Sequence, residues 1–230
     1  MEKERAKRNS KLMTPTEHRV IAIDGPAASG KSSASREISQ RLGFIHVNSG
    51  AMYRALTWSA LRAGICPDDA EAVIGHMEAI DIVCGEDAGR ATLDVDGVDP
   101  GAGLTSTEVN AAVSAVSRIP KVREVLVAKQ REYLSVGDIV MEGRDIGSVV
   151  FPETPFKFYI DASAEVRAAR REREGIRDDL ARRDAADSNR PTSPLVAAED
   201  ALRIDTSEMD LAEVVEAILS GLVERGMAVS

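Results

Sequence analysis

Short apolar strands alternating with helical stretches predict an α/β fold, a parallel β-sheet flanked by helices. Two further observations refine that prediction. One apolar strand runs directly into a glycine-bounded turn and a helix. A central stretch then breaks the rhythm with hairpin signals, and a later one is crowded with arginine. The first places an anion-binding turn at a sheet edge; the other two suggest a segment inserted in the core and a short helical lid.

Arg19–Ile23 is the first strand, and Gly25-Pro26-Ala27-Ala28-Ser29-Gly30-Lys31-Ser32 follows it with Ser33 next. The spacing is G-x-x-x-x-G-K-S, the P-loop of nucleoside triphosphate enzymes. Gly25 and Gly30 let the backbone curl so that successive N–H groups converge on a phosphate. The helix beginning near Lys31 adds the positive end of its dipole. Lys31 supplies a mobile cation for the β- and γ-phosphates, and the Ser32 hydroxyl suits Mg²⁺. The competing reading is a structural turn between two core elements. The strand before the motif and the helix after it, reaching Leu42, disfavour that alternative.

Gly43 ends this helix, Phe44–Val47 forms a second strand, and Ala51–Ala63 a helix closed by Gly64 and Pro67. Ala79–Val83 and Ala91–Val95 read as an antiparallel hairpin around Gly85-Glu86-Asp87-Ala88-Gly89, with a second tight turn at Asp96-Gly97. Helices are expected over Ser106–Ser117 and Pro120–Tyr133, the latter with proline in its first turn. Core strands resume at Asp138–Met141, Phe156–Ile160 and Leu202–Asp205, and a last helix runs from Asp210 to about Glu224. Residues 18–64 and 126–228 therefore form the core, 65–125 an insertion carrying a second-substrate site, and 165–190 the lid. Residues 1–17 are polar and basic without an apolar face, a disordered leader.

The chain carries a net charge of −9, which argues against coating nucleic acid. No apolar run approaches the roughly 20 residues of a membrane span. Cys66 and Cys84, with no secretory stretch before them, are expected to be free buried thiols in a reducing cytoplasm. A monomer is expected. Arginine exceeds lysine by 22 to 7, which suits bidentate phosphate recognition, although a coding bias gives the same count.

Three constellations accompany the P-loop. Asn48 to Arg54 follows the second strand and opens a helix, so Arg54 lies one turn into it beside the phosphates; a solvated helix arginine is the alternative. Glu142-Gly143-Arg144-Asp145 ends the strand Asp138–Met141 on the same edge. There a carboxylate can orient metal-bound water, Arg144 can clamp a phosphate, and Asp145 can accept from an exocyclic amine. A self-contained Arg–Asp pair is the alternative. The arginines of 165–190 read mostly as a salt-bridged exposed helix pair. Arg183, Asp187 and Arg190 stand apart, since Arg183 and Asp187 share a helix face and Arg190 lies just past it. His18, His46 and His76 lack metal spacing, and Trp58 and Tyr133 read as packing residues.

Together these segments, from about His18 to Glu224, resemble the bacterial cytidylate kinases of the nucleoside monophosphate kinase family. S-G-A-M-Y-R at 49–54, E-G-R-D-I-G at 142–147 and R-D-x-x-D-x-N-R-x-x-x-P-L at 183–195 carry the resemblance. It implies ATP-dependent, Mg²⁺-assisted phosphorylation of CMP and dCMP, with an inserted monophosphate-binding domain. It implies that Ser49, Arg54, Ser114, Arg123, Arg144, Asp145, Asp187 and Arg190 bind CMP. Among these, Ser114, Arg123 and Asp145 would read the base. Lys31, Arg144 and Arg183 would act on the transferring phosphoryl group. The family usually has Asp where Asn48 stands, which leaves Glu142 as the metal-orienting charge. The alternatives are a kinase for another acceptor, a GTPase-like switch, for which no N-K-x-D motif occurs, and an ATP-binding scaffold.

Overall fold

The computed structural model describes residues 18–173, 184–185, 187–190 and 192–229. Within them a seven-stranded sheet is flanked by helices, in the strand order β3-β4-β2-β5-β1-β6-β7. The strands are β1 (Val20–Asp24), β2 (Ile45–Asn48), β3 (Ile82–Asp87), β4 (Arg90–Val95), β5 (Ile139–Gly143), β6 (Phe156–Asp161) and β7 (Leu202–Asp205). All neighbours pair in parallel except β3 and β4. The α-helices are α1 (Lys31–Leu42), α2 (Ser49–Arg62), α3 (Ala70–Ala79), α4 (Thr107–Ser117), α5 (Pro120–Glu132), α6 (Ala164–Arg173) and α7 (Leu211–Glu224).

The central strands are buried on both faces, as a parallel sheet covered by crossover helices requires. In β1, Val20 and Ala22 join one core with Met52 and Leu56 of α2, Val113 and Val116 of α4, and Leu126 of α5. Ile21 and Ile23 point the other way, into a second core with Ile38 of α1 and Val215, Ile218 and Leu222 of α7. Val73, Met77 and Ile82, from the 65–125 stretch, belong to the first of these cores.

The expected order of elements matches, with two corrections. Ala79 ends a helix rather than beginning a strand. Asp69 caps α3 by accepting the Ala72 N–H at 3.0 Å, and Val73 and Met77, one turn apart, are buried. The hairpin turn is also shorter than read. Gly85, Glu86 and Asp87 pair with Thr92, Ala91 and Arg90, leaving Ala88-Gly89 as a two-residue turn with φ of 48° and 77°. Both positive values mark the type I′ geometry that matches strand twist. Neither cysteine forms a disulfide, but Cys66 is exposed and Cys84 only half-buried rather than buried.

Register places the site. Asp24 stands opposite Gly143, and Asn48 opposite Glu142. The turns leaving β1, β2 and β5 therefore emerge side by side at the carboxyl edge of the sheet, where ligands bind in open α/β folds.

Candidate active site

The first of these turns shows why its glycines are needed. Gly25 has φ of 155°, and a Cβ there would stand 2.0 Å from the Ile160 carbonyl oxygen. The backbone of the loop thus passes too close to β6 for any side chain. Gly30, at φ 94°, precedes α1, and the helix starts at Lys31. Lys31 is buried and its Nζ donates to the Pro26 carbonyl at 2.9 Å, folded back over the loop. Ala27, Ala28, Lys31 and Ser32 border a cavity of about 170 Å3, and Ala28 through Ser33 line a larger cleft beside it.

The smaller cavity gathers every residue expected at the acceptor. Ser49 and Arg54 come from α2, Ser114 from α4, Arg123 from α5, Arg144 and Asp145 from the turn after β5, and Asp187 and Arg190 from the stretch between α6 and β7. Arg183 lies outside the described residues, as does the rest of 174–183. Six cationic side chains face three carboxylates around this cavity, in a chain whose overall charge is negative.

Arg123 and Asp145 form a buried pair at 2.5 Å, with Arg123 stacked over the Tyr53 ring at 5.3 Å. Arg123 also donates to the Ser117 carbonyl at 3.2 Å, and its Nε, although buried, has no hydrogen-bond partner. Asp187 joins two more arginines. It accepts from Arg144 Nε at 2.7 Å through one oxygen and from Arg190 through the other. Burial, with Arg123 and Arg144 alongside, pushes the Arg190 guanidinium below its ordinary pKa, against the pull of Asp187. Six cationic side chains around three carboxylates leave positive charge in excess here, the condition that an anionic ligand relieves.

A hard-oxygen set lies on the P-loop side. Ser32 Oγ donates to Glu142 Oε2 at 2.5 Å. Glu142 Oε1 is buried without a hydrogen-bond partner, and His46 Nε2 is 3.6 Å away. Burial alone would raise the Glu142 carboxyl pKa, but His46, the Lys31 charge and the Ser32 hydroxyl outweigh it and hold the group below its usual range. An ionised carboxylate beside a hydroxyl fits Mg²⁺, which takes few protein ligands and keeps its water. Asn48 caps α2 instead, accepting the Ala51 N–H at 3.2 Å.

Sequence reasoning missed part of the site. Tyr53, Ser117 and Arg171 also line the smaller cavity, with Asn48; of these the sequence singled out only Asn48. Arg167, Arg170 and Arg171 on α6, read as part of a salt-bridged exposed helix pair, turn toward the P-loop, although Arg167 does also pair with Asp184. Arg167 donates to the Ala27 carbonyl at 3.2 Å, and Arg170 to Thr206 Oγ1 at 3.0 Å. Thr206 is buried and its hydroxyl donates to the Ser29 carbonyl at 3.0 Å. The i, i+3, i+4 spacing of those arginines was the available signal, since it puts all three on one helix face.

Comparison with known proteins agrees with this arrangement. The family model described as cytidylate kinase matches residues 21–224. A cytidylate kinase of Streptomyces griseus is 42% identical over 214 residues, covering 89% of this chain and 92% of the relative. One from Mycobacterium avium is 45% identical over 209 residues, covering 86% and 92%. One from Desulforamulus reducens is 42% identical over 224 residues, covering 92% and 99%.

Proposed function

The chain belongs to the cytidylate kinase family, and from that premise we propose how its residues carry a phosphoryl group from ATP to CMP or dCMP. The activity itself follows from the family. The assignment of roles rests on the cavity where six cations meet three carboxylates beside the P-loop.

ATP lies in the larger cleft, its phosphates on the N–H groups of residues 25–33 and its nucleoside toward α6 and the Thr206–Leu211 turn. CMP occupies the smaller cavity. Arg54, Arg144 and Arg190 bind its phosphate, and Ser114, Arg123 and Asp145 its base. Asp187, between Arg144 and Arg190, sets the spacing of those two guanidinium groups and faces the ribose. The nucleophile is a phosphate oxygen of CMP, which has a second pKa near 6 and is largely ionised at pH 7. No strong general base is needed. Catalysis consists of in-line positioning and neutralisation of charge on the transferring group by Lys31 and the arginines, Arg183 among them.

Ser32, and Glu142 through water, would hold Mg²⁺, which when bound neutralises the β- and γ-phosphate oxygens of ATP. Residues 65–125 serve as the monophosphate-binding insert, and 165–190 as the lid that closes over both substrates and excludes water. The Asp145 carboxylate accepts from the cytosine amine and repels the carbonyl that uracil presents at the same position. The Arg123 pairing holds that carboxylate in place.

Calorimetric titration of CMP into the full chain, with Arg144→Gln and Arg190→Gln in parallel, tests the acceptor assignment. A charged hydrogen bond contributes about 1.5–3 kcal/mol, so each variant should bind CMP more than tenfold more weakly while ATP affinity stays within twofold. Unchanged CMP affinity in both variants, or an equal loss for ATP, would contradict the assignment.

A further inference from the structure

Asp24 is the last residue of β1, and the P-loop begins at the next position. It is 4% exposed, and no ion pair among the described residues includes it. Its oxygens accept two successive backbone donors, the N–H of Ile146 at 2.8 Å and that of Gly147 at 2.8 Å. The nearest cations are engaged elsewhere. Lys157, whose stem runs beside Gly147, places its ammonium on Asp200 and the Pro152 carbonyl, and Arg144 pairs with Asp187. A carboxylate in so dry a position is costly, and its return is a pair of charge-assisted bonds with fixed geometry.

Those bonds fix a functional segment. Ile146 and Gly147 directly follow Arg144 and Asp145, and they open a π-helical turn over Ile146–Val150. Such turns are rare and mark functional positions in many folds. The turn has little room to settle elsewhere. A Cβ on Gly147 would lie 3.4 Å from Asp24 Oδ2 and 3.1 Å from Lys157 Cγ. One side chain thus joins the strand that carries the donor loop to the segment that carries two acceptor-site residues.

We propose that Asp24 is a positioning residue that sets the acceptor site in register with the P-loop, holding Arg144 and Asp145 where in-line transfer from ATP requires them. The inference rests on the roles given above to Arg144 and Asp145. A carboxylate suits the task because it accepts at both oxygens. An amide would turn an N–H₂ toward one of the two donors and release that side of the joint.

Steady-state kinetics on Asp24→Asn, Gly147→Ala and Arg144→Gln, each in the full chain, test it. Gly147→Ala loosens the joint from its other side and keeps the test available if Asp24→Asn does not fold. In both joint variants KM for ATP should stay within twofold, KM for CMP should rise at least tenfold, and the preference for CMP over UMP should narrow. In ¹H–¹⁵N spectra the Ile146 and Gly147 amide protons should lie far downfield and move upfield in Asp24→Asn. A merely structural role would lower the active fraction, and so kcat, with both KM values and the base preference unchanged; that result would overturn the proposal. Equal rises in the two KM values would also overturn it. If Arg144→Gln raises KM for CMP and the joint variants do not, this inference alone fails. If Arg144→Gln leaves it unchanged, the acceptor assignment fails and this inference with it.

Discussion

Lys31 and Asp24 flank the P-loop and test the account in opposite ways. Lys31 is buried over the loop and donates to the Pro26 carbonyl, so its charge is already beside the path of the phosphoryl group. Lys31→Ala should reduce turnover by several orders of magnitude with little change in melting temperature; near-normal turnover would remove it from the mechanism. Asp24 has a thermodynamic signature. Burial raises its carboxyl pKa from 3.8 to about 6, with Asp145 adding to the rise and the Gly147 and Ile146 N–H groups and Arg144 opposing it. Tyr159, which also interacts with it, is itself pushed upward mainly by burial and stays neutral in this range. A raised acid pKa means that the folded state keeps a proton which the unfolded chain has released. The stability this confers is present in full below about pH 3.8 and lost as pH rises through about 6, a change of about 3 kcal/mol. In denaturation from pH 4 to 8, wild-type stability relative to Asp24→Asn should fall across that window. A flat difference would contradict the assigned environment. Nothing in the sequence around Asp24 marks this role, because the donors it binds lie more than a hundred residues away.

At the scale of elements, the legible parts were those with local chemistry. The P-loop could be read because its requirements, two glycines, a lysine and a hydroxyl, sit within eight consecutive residues. The α7 start could be read at Asp210, which caps it, whereas α2 was expected from Ala51 and begins at Ser49 because Asn48 caps it. The β3–β4 turn was placed wrongly because Gly85 looks like a breaker, whereas cross-strand pairing with Thr92 holds it in the strand. The helix α3 escaped notice because it buries just two apolar side chains, Val73 and Met77. The arginines of α6 read in sequence as one side of a salt-bridged helix pair, which Arg167–Asp184 does form, but their contacts with the phosphate loop are not legible because that loop is remote in sequence. The corrected turn makes its own prediction. Ala88 holds φ of 48°, a conformation that strains a Cβ-bearing residue but that asparagine tolerates. Ala88→Asn should therefore stabilise the protein by up to about 1 kcal/mol in urea denaturation, without altering KM for either substrate. Destabilisation would mean that the turn is not of type I′.

For the whole molecule, fold and site are linked by strand order. The sequence β2-β5-β1 at the sheet centre brings Asn48, Glu142 and Asp24 to one edge, and the helices that follow aim arginines at it. Convergence of this kind has no local signature. Ser114 and Arg123 were reached through family resemblance alone, since their meeting with Asp145 depends on α4 and α5 folding over β5. Charge is distributed on the same scale. An acidic chain with a net −9 gathers six cations around one cavity, a local field that favours small phosphorylated substrates there. Among the described residues no helix is long and apolar enough to cross a membrane. The central claim is that this cavity selects a cytosine monophosphate as acceptor. It is tested most directly by ADP formation from Mg-ATP in the presence of CMP, dCMP, UMP, AMP or no acceptor. Strong stimulation by CMP and dCMP, with UMP and AMP far weaker, is the expected result. Equal or greater stimulation by UMP or AMP would contradict the assignment of Asp145 and Arg123 as readers of the base.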